Sequence, residues 1–219
     1  MLRKIFSAML VLCLSAMAVM AQDADKAKEI LDKVADKYQK VPAFSAMFEQ
    51  RMINQAEGLN EKFEGAVLAK GNKFRIDIAG RVIFNDGSTM WTFVPDDEEV
   101  TVAEAGGEDG EELDPTAIYT AYKKGFKLKL QKNEKIDGKD YRVIDLLPKK
   151  PKDKSFFRIR VYVTPKGSVL HRWSVYEKDG NVFQYTISNF KELASLPDTD
   201  FRFDKSKYPD MDIDIVDLR

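Results

Sequence analysis

Four stretches of this chain switch side at every residue, and no other feature restricts its fold as strongly. Phe44, Ala46 and Phe48 alternate with Ser45, Met47 and Glu49, and Phe74, Ile76 and Ile78 alternate with Lys73, Arg75 and Asp77. Phe157, Ile159, Val161 and Val163 are set against Arg158, Arg160 and Tyr162, and Phe183, Tyr185 and Ile187 against Gln184, Thr186 and Ser188. A period of two is that of a half-buried strand, with one face apolar and the other solvated. Turn signals separate such runs: Lys70-Gly71-Asn72, Asn85-Asp86-Gly87, Asp137-Gly138, Pro165-Lys166-Gly167 and Asp179-Gly180. Each supplies a residue tolerant of positive φ or a proline-set bend. Strand, turn and strand at short spacing predict an antiparallel meander of about ten to twelve strands, enough for one large, strongly curved sheet.

Two segments depart from this pattern. From Asp23 to Tyr38 the apolar residues Ala27, Ile30, Leu31, Val34, Ala35 and Tyr38 recur every three or four positions, which predicts an amphipathic helix stopped at Val41-Pro42. The second opens with the acid-rich loop Gly106–Glu112 and runs on as Asp114-Pro115-Thr116-Ala117-Ile118-Tyr119-Thr120-Ala121-Tyr122. Asp114 suits an N-cap, Pro115 the first helical position and Lys123-Lys124-Gly125 the end, so a short helix with Ile118 and Tyr122 on one edge is expected there.

The first 21 residues read as a secretory signal. Arg3 and Lys4 precede an apolar run from Ile5 to Met20, and Val19-Met20-Ala21 offers a cleavage site. The expected organisation is a signal peptide over 1–21 and one domain over 22–219. Cys13, the only cysteine, falls inside the signal, and the large Leu12 before it argues against a lipid-modified cysteine. The mature chain is then free of cysteine, which excludes thiolate nucleophiles and cysteine metal sites. Without Arg3 and Lys4 it carries 33 basic against 36 acidic residues, a net charge of −3, which speaks against nucleic acid as a partner.

Chemistry-bearing residues are sparse. His171 is the only histidine and is expected to share a sheet face with Trp173 and Val175 as a structural residue, since no cysteine or second histidine can complete a nucleophile–base pair. The loop Glu108-Asp109-Gly110-Glu111-Glu112 lacks the alternating oxygen ligands of a calcium loop. No metal and no cofactor is expected. Carboxylates are plentiful but sit mainly at strand-alternate and turn positions. The chain holds 14 Phe, 8 Tyr and 2 Trp, a surplus that either fills a sandwich core or lines a cavity.

Four segments carry a family resemblance. Pro42–Gln50 is similar to the first strand, after an N-terminal helix, of the periplasmic carriers that escort lipoproteins to the outer membrane, the LolA-like family. Gly65–Arg75 is similar to that family's Gly-to-Phe-Arg strand pair, and Asn85–Pro95 resembles its Asp-Gly-x-x-x-Trp-x-Tyr-x-Pro hairpin. The stretch from Ile159 through Gly167, Trp173 and Tyr185 to Asn189 resembles its late meander.

The resemblance implies a mainly β fold with a few helices: an incomplete, strongly curved antiparallel β-barrel closed by the N-terminal helix and a short mid-chain lid helix. It implies a monomeric periplasmic carrier, not an enzyme, that holds lipoprotein acyl chains. Such a carrier takes cargo from an inner-membrane ABC transporter and passes it to an outer-membrane acceptor. Strand parity and aromatic size then select Phe48, Phe74, Ile76, Trp91, Phe93, Trp173, Phe183 and Tyr185 as cavity residues, with Ile118 and Tyr122 from the lid. Relatives carry Arg-Pro before the Phe strand, and that arginine latches the lid. Here Lys70-Gly71-Asn72 stands instead, so Lys70 is a weaker latch or the lid is controlled elsewhere. Another lipid carrier or an envelope sensor of the same fold, a carboxylate-based polysaccharide hydrolase and a filled β-sandwich are the competing readings.

Overall fold

A computed structural model describes residues 23–106, 117–166 and 169–219. The expected signal peptide, the acid-rich loop from Gly107 and the expected Asp114-Pro115 helix start lie outside the described residues, as does Gly167 of the expected turn. Helix α1 covers residues 23–40 and buries Ala27, Ile30, Leu31, Val34, Ala35 and Tyr38, the stripe its periodicity predicts.

Thirteen strands follow among the described residues, slightly more than the turn spacing predicts. They are β1 Ala43–Asn54, β2 Leu59–Lys70, β3 Lys73–Ile78, β4 Arg81–Asn85, β5 Thr89–Val94, β6 Glu99–Glu104 and β7 Phe126–Leu130. The rest are β8 Glu134–Ile136, β9 Lys139–Pro148, β10 Phe156–Val163, β11 Leu170–Glu177, β12 Val182–Leu193 and β13 Asp214–Asp217. They form one sheet in the order β13-β6-β5-β4-β3-β2-β1-β12-β11-β10-β9-β7, with β8 beside β9. Every pairing is antiparallel except β13 with β6. Within β1–β6 and within β8–β12 neighbours in sequence are neighbours in space, as a meander requires, and the long β1–β12 pairing joins the two halves. The sheet is open and strongly curled.

The main apolar core lies on the concave face. There Phe44, Ala46, Val67, Phe74, Ile76, Ile78, Ile144, Val161 and Val163 meet the buried stripe of α1. The convex face of β4–β6 carries a second cluster of Phe84, Phe93, Val100 and Val102, closed by Phe203, Tyr208, Met211 and Ile213. Residues 194–213 thus cross the convex face from the end of β12 before β13 joins β6. Phe93 lies 5.2 Å from Phe203 and 4.7 Å from Tyr208, ring centre to ring centre.

The expected mid-chain helix takes a tighter form. Ala117–Tyr119 and Ala121–Lys123 are two short 3-10 turns, and the chain enters β7 through Gly125 at φ 83°. Three-residue 3-10 pieces serve as connectors rather than as independent helices. Their hold on the fold comes from the tyrosines they carry.

Candidate functional site

The concave face is built from cross-strand rows whose register fixes which side chains meet. Val161, Trp173, Tyr185, Gln50 and Phe63 stand opposite one another in succession across β10, β11, β12, β1 and β2. The next row runs Ile159, Val175, Phe183 and Met52, and a third joins Ile187, Phe48, Gly65 and Ile78. Since alternate residues share a face, these rows form a continuous apolar floor. Trp173 and Tyr185 stack at 4.8 Å with their planes 12° apart, and Gln50 Nε2 donates to the Tyr185 hydroxyl at 3.3 Å.

Burial divides this floor into two ends. Where β1 begins and β12 ends, α1 covers it. Tyr38 packs edge-on against Phe44 and Phe190, and Tyr119 stacks on Tyr38 at 3.6 Å. At the other end, where β1 finishes and β12 starts, Met52, Phe63, Phe126, Phe156, Trp173, Val175, Phe183 and Tyr185 are all only partly buried. Aromatic surface is therefore left accessible on the same face that is sealed a few residues away. Phe126 and Phe156 stack at 6.2 Å across this end.

Gly65 makes the floor possible. A Cβ built there would lie 2.5 Å from the Phe48 ring and 2.8 Å from the Asp77 carbonyl oxygen. The Phe48 ring thus lies flat across its cross-strand partner, and only a residue without a side chain admits that approach.

The covering elements are joined by one polar contact of note. The Tyr122 hydroxyl donates to Asp32 Oδ1 at 2.7 Å, and Lys28 bonds the other oxygen of the same carboxylate at 2.7 Å. Burial, then the Asp32 carboxylate, push the Tyr122 phenol up, so it remains a donor throughout the physiological range. The two hydrogen bonds, Lys28 first, hold Asp32 below the usual carboxylate range.

Of the residues selected from sequence, Phe48, Phe74, Ile76, Trp173, Phe183 and Tyr185 share the concave face, and Ile118 and Tyr122 pack over it. Phe74, Ile76 and Tyr122 are fully buried in the core. Trp91 and Phe93 belong to the opposite face, in the convex cluster. In β5 both faces are apolar: Met90 enters the concave core while Trp91 and Phe93 point away, so aromatic size indicates the wrong parity.

Lys70 likewise serves another element. Its ammonium donates to the Leu196 carbonyl at 2.8 Å and to Asp198 at 2.9 Å, and Lys73 bonds the second Asp198 oxygen at 2.7 Å. Val67 and Ala69 face inward, so Lys70 alternates to the convex side and fastens the segment after β12 rather than the lid. Lys70, followed by Lys73, pulls the Asp198 carboxyl down to about 2.

Two bulges explain further departures. A register shift between Phe156 and Arg158 places Phe156 on the core face and leaves Phe157 47% exposed. A second, between Tyr162 and Val163, turns His171 away from Trp173, and it stacks on Tyr141 at 4.5 Å on the convex side. Burial, ahead of the neighbouring Arg172, lowers its pKa. Sequence reasoning missed Met52, Phe63, Phe126 and Phe156 at the open end. Their signal was the pairing of β1 with β12, which places Met52 against Phe183.

The convex face holds a two-pronged ion pair on a buried carboxylate. Arg160 clasps Asp145 with Nε at 2.6 Å and Nη2 at 3.0 Å, and Gln131 adds a bond at 2.8 Å. This occupied carboxylate faces away from the apolar floor. The arrangement suits holding an apolar molecule.

Comparison with known proteins agrees with this geometry. Residues 39–204 match the family described as outer membrane lipoprotein carrier protein LolA. A conserved protein from Thermus thermophilus shares the fold, with a TM-score of 0.58 at 14% identity over 88% of this chain and 99% of its own. A LolA superfamily protein from Nitrosomonas europaea aligns at a TM-score of 0.45 and 17% identity, covering 81% of this chain and 97% of its own. No protein of curated function matches the chain. With the family match spanning most of the sequence on a curled sheet capped by α1, the chain belongs to the LolA family of outer membrane lipoprotein carrier proteins.

Proposed function

We propose that this chain is a periplasmic carrier that holds the acyl chains of lipoproteins on its concave face and moves them from the inner to the outer membrane. The observation that carries the reading is the partly buried aromatic floor from Phe63 to Trp173, continuous with the sealed core under α1. Each methylene withdrawn from water contributes about 0.8 kcal/mol, so an acyl chain laid along this floor binds without specific polar contacts. Phe48, Trp173, Phe183 and Tyr185 form the contact surface, while Phe74 and Ile76 support it from the core. Ile118 and Tyr122 belong to the cover.

In this reading the chain is exported by its first 21 residues and works as one domain over 22–219, as a monomer. It receives cargo from an inner-membrane ABC transporter and yields it to an outer-membrane acceptor. The Tyr122–Asp32 bond takes the latching part that relatives give to arginine. Native mass spectrometry of the protein purified from periplasm tests the proposal. Co-purified lipid-modified polypeptide supports it, whereas a chain that carries only free lipid refutes lipoprotein as the cargo.

A further inference from the structure

The open end of the concave floor has a rim whose chemistry differs from the rest of the surface. β9 ends there, β10 begins there, and the loop between them is tied to both neighbours: the Lys149 amide donates to the Gly125 carbonyl at 2.7 Å, and the Lys178 amide to that of Ser155 at 3.0 Å. Residues 123–127 and 149–158 bring eight basic side chains against Asp153, with Glu177 and Asp179 on the adjoining turn, so the rim is net positive in a chain whose mature net charge is negative. Lys149, Lys150, Lys152 and Lys154 are all exposed, and among the described residues none of them enters an ion pair. Elsewhere Lys28, Lys33, Lys62, Lys70 and Lys73 each meet a carboxylate. The rim differs in density: four exposed lysines fall within the six residues 149–154 of one loop.

Beside them stands Phe157, 47% exposed, with the Arg158 guanidinium 5.8 Å from its ring centre. The bulge at the start of β10 turns this ring off the core face, where it lies 6.2 Å from the Tyr176 ring and keeps nearly half its surface open. An exposed aromatic set among unpaired lysines matches a surface that is anionic outside and apolar just beneath, which is the chemistry of a bilayer interface. An acidic protein surface would satisfy the lysines but leave the ring without a partner. We propose that this rim docks reversibly on anionic phospholipid headgroups and so turns the open end of the acyl-chain floor toward the membrane. The proposal rests on the carrier reading for its purpose, though its charge argument is independent of cargo.

Flotation with phosphatidylcholine vesicles, alone or with about 30% phosphatidylglycerol, tests it on the mature chain. At low salt the wild type should float with the anionic vesicles only, and about 0.5 M salt should release it. Each lysine near an anionic surface contributes about a five-fold factor, so replacing all four loop lysines with glutamine should cut partitioning roughly six-hundred-fold. Replacing the same four with arginine should preserve binding, and Phe157→Ala should lower it several-fold.

Equal flotation with neutral vesicles, none with anionic vesicles at low salt, or undiminished binding by the glutamine variant would each overturn the proposal. Capture on polyglutamate beads without flotation overturns it in favour of an acidic protein partner. An apolar fluorescent dye, added without vesicles, reads the floor separately. The glutamine variant should bind it as the wild type does, and a wild type that ignores the dye refutes the carrier reading while leaving the flotation result intact.

Discussion

Replacing Gly65 with alanine probes the floor at its tightest point. The added Cβ meets the Phe48 ring at 2.5 and 2.8 Å and the Asp77 carbonyl oxygen at 2.8 Å. The ring can swing aside, but the carbonyl belongs to the paired strand β3 and moves only with its backbone. Overpacking of this kind costs about 1–3 kcal/mol, and two obstacles together place Gly65→Ala near 2 kcal/mol. For a chain of this size the melting temperature should fall by about 4–8 °C. Phe48→Ala should cost somewhat less than the 3 kcal/mol typical of a sealed core, because Phe48 is only partly buried. The double variant is the informative one. With the ring gone only the carbonyl clash remains, so the pair should be about 1 kcal/mol less damaging than the sum of the singles. Urea unfolding followed by tryptophan fluorescence measures all three. Additivity within about 0.5 kcal/mol would show that the ring does not lie across Gly65, and the description of the floor would fail.

Trp173→Ala should weaken binding of an apolar dye about ten-fold while costing about 2 kcal/mol of stability; a loss of 3–5 kcal/mol with unchanged binding would mark Trp173 as core filler. Tyr122→Phe removes the hydroxyl bonded to Asp32 and should cost about 1 kcal/mol, read as faster hydrogen exchange over residues 117–123. Asp198 is depressed from 3.8 to about 2, so its contacts are complete above the unfolded value and weaken as pH falls through the folded one. Hydrogen exchange over residues 194–201 should therefore quicken between about pH 4 and 2 beyond its intrinsic pH dependence, and Asp198→Asn should abolish that excess.

The sheet was legible because its concave rows obey a period of two on one face while the other face is polar. Phe74, Ile76 and Ile78 alternate with Lys73, Arg75 and Asp77, and the structure buries the former set. Legibility ended where both faces are apolar. Nothing local to Trp91 and Phe93 states that their cover is Phe203 and Tyr208, more than a hundred residues later. Bulges defeat alternation in a different way: one extra residue at the start of β10 puts Phe156 on the core face in place of Phe157, while Ile159, Val161 and Val163 keep theirs. α1 was plain from its stripe, whereas residues 117–123 satisfied the rules for helix ends yet form 3-10 turns held by Tyr119 and Tyr122. Lys70 is a matter of parity too, since its side chain follows the strand to the face away from α1.

The path of residues 194–213 has a consequence for the order in which the molecule can be completed. Phe84, Phe93 and Val100 are synthesised early, but Phe203, Tyr208 and Ile213, which seal them, emerge near the end. β1 similarly waits for β12, its partner across more than a hundred residues. Contacts of such separation close late and slowly. A ribosome-bound chain therefore leaves the convex surface unsealed until residues 203–213 arrive, and truncation before Phe203 leaves it bare. The last tenth of the sequence thus sets the moment at which the convex face closes.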